Sequence, residues 1–400
     1  MKKHPIYNEA LELKDTLIKY RRYLHQNPEI GMEVYNTARF VKEELIKMGY
    51  EPTEISQNGI VAIAGGKHPG KTILLRGDMD ALPIKEDSDE DFRSCNDYMH
   101  ACGHDFHTSM LLGAAKILKL HEDEIHGTVK LMFQPGEEII VGAKEMVAAG
   151  VLENPSVDMA LMIHLFPNLE LESGTIIIPQ EGPTTLAVDL FEIEIYGKGG
   201  HGAMPNATVD PLNVAAHLHI ALQSINSRET SPLDTTIITI GVMEGGNIGN
   251  VIPDKAILKG TIRTFNEENR KFIHKRIKEI SHNVASTFRA TSDVRIMEGC
   301  PSISCDGNVV KLVNKSLGEM LEPERIKQMT EVFQDGKILF SEDFSYISDV
   351  CPSAILLLSS GHRDKGYNYP LHHPKVRFDE DILCIGAAAH AQNALYYLKK

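Results

Sequence analysis

The stretch His100-Ala-Cys-Gly-His-Asp-Phe-His107 packs three histidines, a cysteine and an aspartate into eight residues. Cysteine thiolate and histidine imidazole are both good ligands for zinc and other borderline divalent ions. Gly103 permits a tight backbone path between two such donors, Cys102 and His104. A lone histidine would ordinarily be a surface or satisfied core residue. The plain alternative for the whole run is three surface histidines beside a buried cysteine, and its density argues for a metal.

More donors stand where strands are expected to end. Asp78 and Asp80 follow an apolar run at Ile73–Leu75. Glu137 and Glu138 follow Val129–Phe133 through Gln134-Pro135-Gly136. His164 directly follows Met159–Ile163, and His372 and His373 come after a loop beyond Ala354–Leu358. Open α/β sheets collect their sites at strand ends. A Glu-Glu pair also suits hydrolysis at a metal. One carboxylate can hold an ion while the other takes a proton from water, whose pKa an ion lowers toward about 7. Adjacency alone does not say which glutamate does which job. A single adjacent Glu pair is usually solvated, so it is the combination that carries weight.

The elements that must position these groups alternate. Ala10–Met48 reads as helix broken at Asn27-Pro28, with a second helix from Tyr35. Thr108–Leu120 and Ala143–Ala149 read as helices between the apolar strands, which predicts a layered α/β domain. The middle differs. In Leu186–Tyr196 the alternation of Phe191, Ile193 and Ile195 with Glu192 and Glu194 predicts a strand with one wet face. Helices follow at Asp210–Ser227, with Pro211 in its first turn, and at Asn266–Phe288. Strands are expected at Thr235–Val242, Ala256–Phe265 and Ser292–Met297. That βαββαβ order predicts a small inserted α+β domain. The expected division is 1–185, 186–298 and 299–400, the outer two forming one α/β domain of two or three layers.

Composition excludes several classes. The chain has 400 residues with a net charge of −14 and 42% hydrophobic residues. It is too apolar for disorder, and long enough for two domains. Its acidity argues against nucleic acid, which needs concentrated Lys and Arg. No apolar run reaches the roughly 20 residues that span a bilayer. The start, MKKHPIYNEALELKD, has two lysines but no apolar stretch after them, which argues against a secretory signal there. Six scattered cysteines without a Cys-x-x-Cys pair argue against a disulfide scaffold and suit a reducing cytoplasm.

Taken together the motifs resemble the M20 metallopeptidase family, in its amidohydrolase branch of N-acyl-amino-acid deacylases, hippurate hydrolases and indoleacetyl-amino-acid hydrolases. They are RRYLHQNPEIGMEVYNTARFV (21–41), LLRGDMDALPI (74–84), MHACGHDFHTSMLLGAA (99–115) and FQPGEEIIVGAKEMVAAGVLE (133–153). MIHLFP (162–167), YGKGGHGAMPNATVDPLNVAAHL (196–218), NVIPDKAILKGTIRTF (250–265), SEDFSY (341–346) and LHHPKVRFDEDIL (371–383) continue the series over nearly the whole chain.

The resemblance implies a metallohydrolase with two divalent ions of the zinc, manganese, cobalt or nickel group. The implied ligands are Cys102, His104, Glu138, His164 and His372, with Glu137 as general base and acid. It implies that Asp80 orients a ligand histidine and that His107 supports the site or holds the start of its helix. The inserted domain becomes a lid that often carries a homodimer contact. His201 polarises the scissile carbonyl, and Asn250 and Arg263 lie near the free carboxylate, for which an arginine fork is suited. Without the resemblance His201 would read as a loop histidine capping a turn. The implied reaction is hydrolysis of an N-acyl amino acid, N-acetyl amino acids among them. A dipeptidase or metallocarboxypeptidase of the same fold is the enzymatic alternative, and a small-molecule binding protein on the same scaffold the other.

Two stretches depart from the family pattern. KEDSDEDFRSCNDY (85–98) is unusually acidic, which suggests either a preference for substrates with a positive group or a solvated loop. GHRDKGYNYP (361–370) could shape the acyl or side-chain pocket before His372.

Overall fold

The computed structural model describes residues 4–399, so the lysine pair at positions 2 and 3 lies outside it. The chain forms two compact units. One takes the chain up to Thr184, Ile303–Ile338 and Asp343 onward. The other takes Thr185–Ser302 together with Leu339–Glu342. That last short return lies outside the 186–298 insertion expected from the sequence.

The first unit is built on an eight-stranded sheet. Its strands are β1 (Thr53–Ser56), β2 (Gly59–Gly65), β3 (His68–Asp78), β4 (His126–Gln134), β5 (Met159–Phe166), β6 (Ile176–Ile178), Ile326–Gln328 and Ser353–Ser359. The spatial order is β1, β2, β4, β3, β5, Ser353–Ser359, β6, Ile326–Gln328. The centre is parallel: β3 pairs with β4 and β5, and β5 pairs with Ser353–Ser359. Almost every residue of β4, β5 and Ser353–Ser359 is buried, as in a sheet covered on both faces. β3 runs past the apolar Ile73–Leu75 through Arg76 and Gly77 to Asp78, so polar side chains stand inside a buried strand.

Helices α1 (Pro5–Glu12), α2 (Lys14–Gln26), α3 (Tyr35–Lys47), α4 (His104–Leu120) and α5 (Gly142–Ala148) belong to this unit, as does the later helix Leu383–Tyr397. The first helix begins at Pro5, earlier than the apolar pattern indicates, and steps at Leu13. α4 is buried on all sides over most of its length, as is Leu383–Tyr397. They approach closely because each carries a glycine at the contact. A Cβ on Gly113 would stand 2.8 Å from that of Ala387, and one on Gly386 would stand 1.9 Å from Met110 Sδ. Leu111, fully buried in α4, would cost about 2–5 kcal/mol as alanine.

The second unit is a four-stranded antiparallel sheet in the order Thr236–Gly245, Lys255–Thr264, Ala187–Tyr196, Thr291–Glu298. Helices Pro211–Ser224 and Glu267–Thr287 bury Val214, Leu218, Leu222, Ile273 and Ile277 with Phe191, Ile193 and Ile195 in a core of its own. The alternation read at 191–195 therefore marks the buried face. Each helix is started by a side chain that accepts the free N–H groups of the first turn: Asp210 from Leu212 and Asn213, Asn266 from Glu268 and Asn269. The first helix was expected to reach Ser227. It ends at Ser224 and the chain continues as a π-turn, Ile225–Glu229.

Candidate metal centre

The donors converge at the end of the parallel strands of the first unit. β3 ends at Asp78, and Met79 and Asp80 follow it into the site. Cys102 and His104 stand on either side of Gly103, whose φ of +86° starts α4. A Cβ at Gly103 would meet Leu165 Cδ1 at 2.8 Å, so glycine is needed for both conformation and space.

Two of the histidine donors, His104 and His164, have one ring nitrogen engaged by a backbone carbonyl. His104 Nδ1 donates to Asp80 O at 2.7 Å, and His164 Nδ1 donates to Leu165 O at 2.7 Å. Both Nε2 atoms are thereby left as lone-pair donors. His164 Nε2 lies 3.6 Å from Cys102 Sγ. Cys102, His104 and His164 offer ligand atoms within 4.8 Å of one another, and Cys102, Glu138 and His372 do the same. The cysteine is common to both groups, which together would offer five residues to hold divalent ions.

The segment after β4 delivers the glutamates. Asp80 accepts the backbone N–H of Glu137 on one carboxylate oxygen at 2.9 Å and that of Glu138 on the other at 3.1 Å. The resemblance implies that Asp80 orients a ligand histidine. Its backbone carbonyl does that, while its carboxylate holds the Glu-Glu turn. His372 is anchored by its N–H to Ala101 O at 3.0 Å, and its Nε2 lies 3.5 Å from Glu138 Oε1. It has a φ of +64°, a left-handed conformation uncommon outside glycine. The neighbouring His373 is engaged otherwise: its Nδ1 accepts the Lys375 N–H at 3.0 Å and its ring stacks on Tyr369.

His107 has no free nitrogen. Its Nδ1 donates to Asp78 Oδ1 at 2.6 Å and its Nε2 accepts the Leu165 N–H at 2.9 Å. It supports the turn beside His164.

The donor set suits divalent cations. His104 Nε2 and Glu138 Oε1 are buried with no hydrogen-bond partner among the described residues, a costly arrangement that a bound cation would relieve. Burial would lower the His104 pKa, but Asp78, Asp80 and Glu138 outweigh it and hold it up to about 10. Burial, with Asp80 and Asp78 close by, pushes Glu138 up to about 7 against the pull of His104. Burial and the neighbouring His107 hold His164 well below the ordinary imidazole value. Cations would favour the deprotonated forms that ligation requires.

The remaining sequence candidates lie in the second unit. His201 is exposed on a two-residue strand paired with Val251–Ile252, and its Nδ1 accepts the Ala203 N–H at 3.1 Å. The Gly202 N–H donates to Asn250 O at 2.9 Å, so Asn250 lies beside His201 at the end of this strand pair. Arg263, on Lys255–Thr264, donates to Ser341 Oγ at 3.0 Å.

The acidic stretch 85–98 divides. The Glu86 side chain is covered and accepts from Ser94 N and Ser88 Oγ, with His25 Nε2 at 3.2 Å. Asp87, Asp89, Asp91 and Asp97 are exposed. Arg76 and Asp343, fully buried near the centre, were not singled out by the sequence reading. They lie inside LLRGD and SEDF, and only the polarity of those short runs hinted at them.

An α/β unit that brings cysteine, histidine and paired glutamates together at its strand ends, with an α+β unit inserted in its chain, defines a metallohydrolase architecture. The chain belongs to Peptidase family M20/M25/M40, whose family profile matches residues 74–395. It is a metal-dependent amide-bond hydrolase of that family. It is 36% identical to thermostable carboxypeptidase 2 of Saccharolobus solfataricus over 98% of each chain. It is 36% identical to IAA-amino acid hydrolase ILR1-like 2 of Arabidopsis thaliana over 98% of this chain and 88% of that one. It is 35% identical to N-acetyl-L-cysteine deacetylase of Bacillus subtilis over 93% and 85%. Among solved structures, a dinuclear metal-binding M20 peptidase from Bacillus subtilis matches with a TM-score of 0.82 and 29% identity over 97% and 98%. No helix among the described residues is long and apolar enough to cross a membrane.

Proposed function

We propose that the protein hydrolyses the amide bond of N-acyl amino acids, releasing a carboxylic acid and a free amino acid. The observation that carries this reading is the pinned Glu137–Glu138 turn. Both carboxylates there stand among groups able to hold a metal; this reading gives Glu138 to the metal and Glu137 to proton transfer. The names of two relatives, an IAA-amino acid hydrolase and an N-acetyl-L-cysteine deacetylase, support an acylated amino acid as substrate.

Cys102, His104, Glu138, His164 and His372 would hold two divalent ions of the zinc, manganese, cobalt or nickel group. When bound, the ions make water acidic enough to attack and polarise the acyl oxygen. Glu137 takes the proton from the attacking water and passes it to the departing nitrogen. Asp80 keeps Glu137 in place through the backbone, so the base need not be ordered during the reaction. In this reading His201 stabilises the developing oxyanion, and Asn250 and Arg263 bind the free carboxylate.

The thermostable carboxypeptidase relative favours a second reading, cleavage of a C-terminal residue from a peptide. Protein reconstituted separately with each metal, assayed on N-acetyl amino acids, hippurate and dipeptides, separates the two. The proposal expects kcat/KM for N-acyl amino acids to exceed that for dipeptides by at least about tenfold, about 1.4 kcal/mol of transition-state binding. A preference of that size for dipeptides would establish the peptidase reading instead.

A further inference from the structure

SEDFSY matches the family pattern, but the mechanism above gives it no task. Its Asp343 is fully buried in the first unit. One carboxylate oxygen accepts from Arg76 Nη2 at 2.9 Å and from Gln134 Nε2 at 2.7 Å. The other accepts from the Ala143 N–H at 2.9 Å, and Gln134 Nε2 lies 2.9 Å from it as well. Gln134 is the last residue of β4, and Ala143 lies in the first turn of α5. Between them runs the segment that carries Glu137 and Glu138. One carboxylate thus holds both ends of the loop that presents the glutamate pair.

Arg76 extends this hold. Its Nε donates to Gln134 Oε1 at 2.9 Å and its Nη1 to Asp78 Oδ2 at 2.5 Å. Asp78 in turn accepts from His107, and His107 accepts the Leu165 N–H next to His164. Arg76, Asp78, Gln134 and His107 are all buried, as is Asp343. A buried arginine bridging two carboxylates holds a fixed fork geometry, and removing one partner leaves the others uncompensated.

We propose that Asp343 is a second positioning residue of the catalytic glutamates beside Asp80, and that Arg76 couples it through Asp78 and His107 to the His164 segment. The inference rests on the assignment of Glu137 and Glu138 above. Asp343 acts by clamping Gln134 and Ala143, so that Glu138 meets its ion and Glu137 its proton at fixed positions. Outer partners of metal ligands commonly contribute about 10–100-fold to metal affinity or activity.

The test is Asp343→Asn, which keeps the shape but removes charge and acceptor capacity, with Gln134→Glu as a second variant that breaks the same contact from the other side. Each is loaded with Co(II), whose visible absorption reports ligand geometry, and assayed on the best N-acyl substrate of the wild type. The expected result is a visible spectrum displaced from wild type together with a fall in kcat of about 10–100-fold, KM staying within about threefold. Unchanged cobalt spectrum and kcat in whichever variant folds would overturn the proposal. So would a loss confined to KM. If wild-type protein binds cobalt yet cleaves no N-acyl amino acid, the functional reading fails, and the cobalt spectra of the variants still decide the role of Asp343.

Discussion

Cys102 Sγ lies 3.6 Å from His164 Nε2, and the same sulfur belongs to the group formed with Glu138 and His372. A donor shared by two groups is lost from both at once. Cys102→Ala is therefore expected to weaken metal retention by more than the roughly 10–100-fold typical of outer partners. Metal content after gel filtration, measured by elemental analysis, checks this. Full occupancy in the alanine variant would remove Cys102 from the ligand set.

Glu137→Gln keeps the side chain's shape and the backbone contact to Asp80 but removes the proton acceptor. It should retain metal at wild-type stoichiometry and lose about 10²–10⁴-fold in kcat. Normal turnover in a metal-replete variant would refute the role of Glu137 as base.

Acid should weaken the second unit through Asp189. Its carboxylate accepts from Arg270 at 2.6 and 2.7 Å, from His274 at 2.7 Å and from the Gly299 N–H at 3.0 Å. Burial pushes this carboxyl up, but the hydrogen bonds from Arg270 and His274 outweigh it and bring it from 3.8 down to about 2. A folded pKa below the unfolded one means the stabilisation is fully present above the unfolded pKa. It is lost as pH falls through about 4 toward 2. Asp189→Asn should cost about 3 kcal/mol near neutral pH, since it leaves Arg270 only the half-exposed Glu267 as a charged partner. It should also flatten the loss of stability between pH 4 and 2. Urea denaturation across that range reads both effects, and a variant with the wild-type acid slope would contradict the assignment.

The sequence showed most clearly what depends on side-chain type and period. The apolar alternation at Phe191, Ile193 and Ile195 located the inserted unit, and the density of donors at 100–107 located the centre. Contacts made by the backbone were invisible. Nothing in Asp80 says that its carbonyl takes His104 while its carboxylate takes two glutamate N–H groups. Arg76 was obscured for a different reason, and Asp78, read as following the strand, is its last residue. A strand is recognised by apolar residues, so polar ones inside it read as its end. Asp343 is distant in sequence from every group it holds, and only the folded sheet brings them together. Glu86 shows the limit of charge counting, since one member of an acidic run has its side chain covered against His25 while its neighbours are solvated.

The strand Ser353–Ser359 lies between β5 and β6, although both are translated long before it. On the ribosome, the whole of Thr185–Ser302 emerges first and has a core of its own to collapse around. The edge of β5 away from β3 is covered by the late strand Ser353–Ser359, and an uncovered strand edge is a template for wrong pairing. Cys102, His104, Glu138 and His164 have all been made by then, but His372 has not. The set of donors that would hold the ions is therefore complete only when the last part of the chain, with His372, has been made.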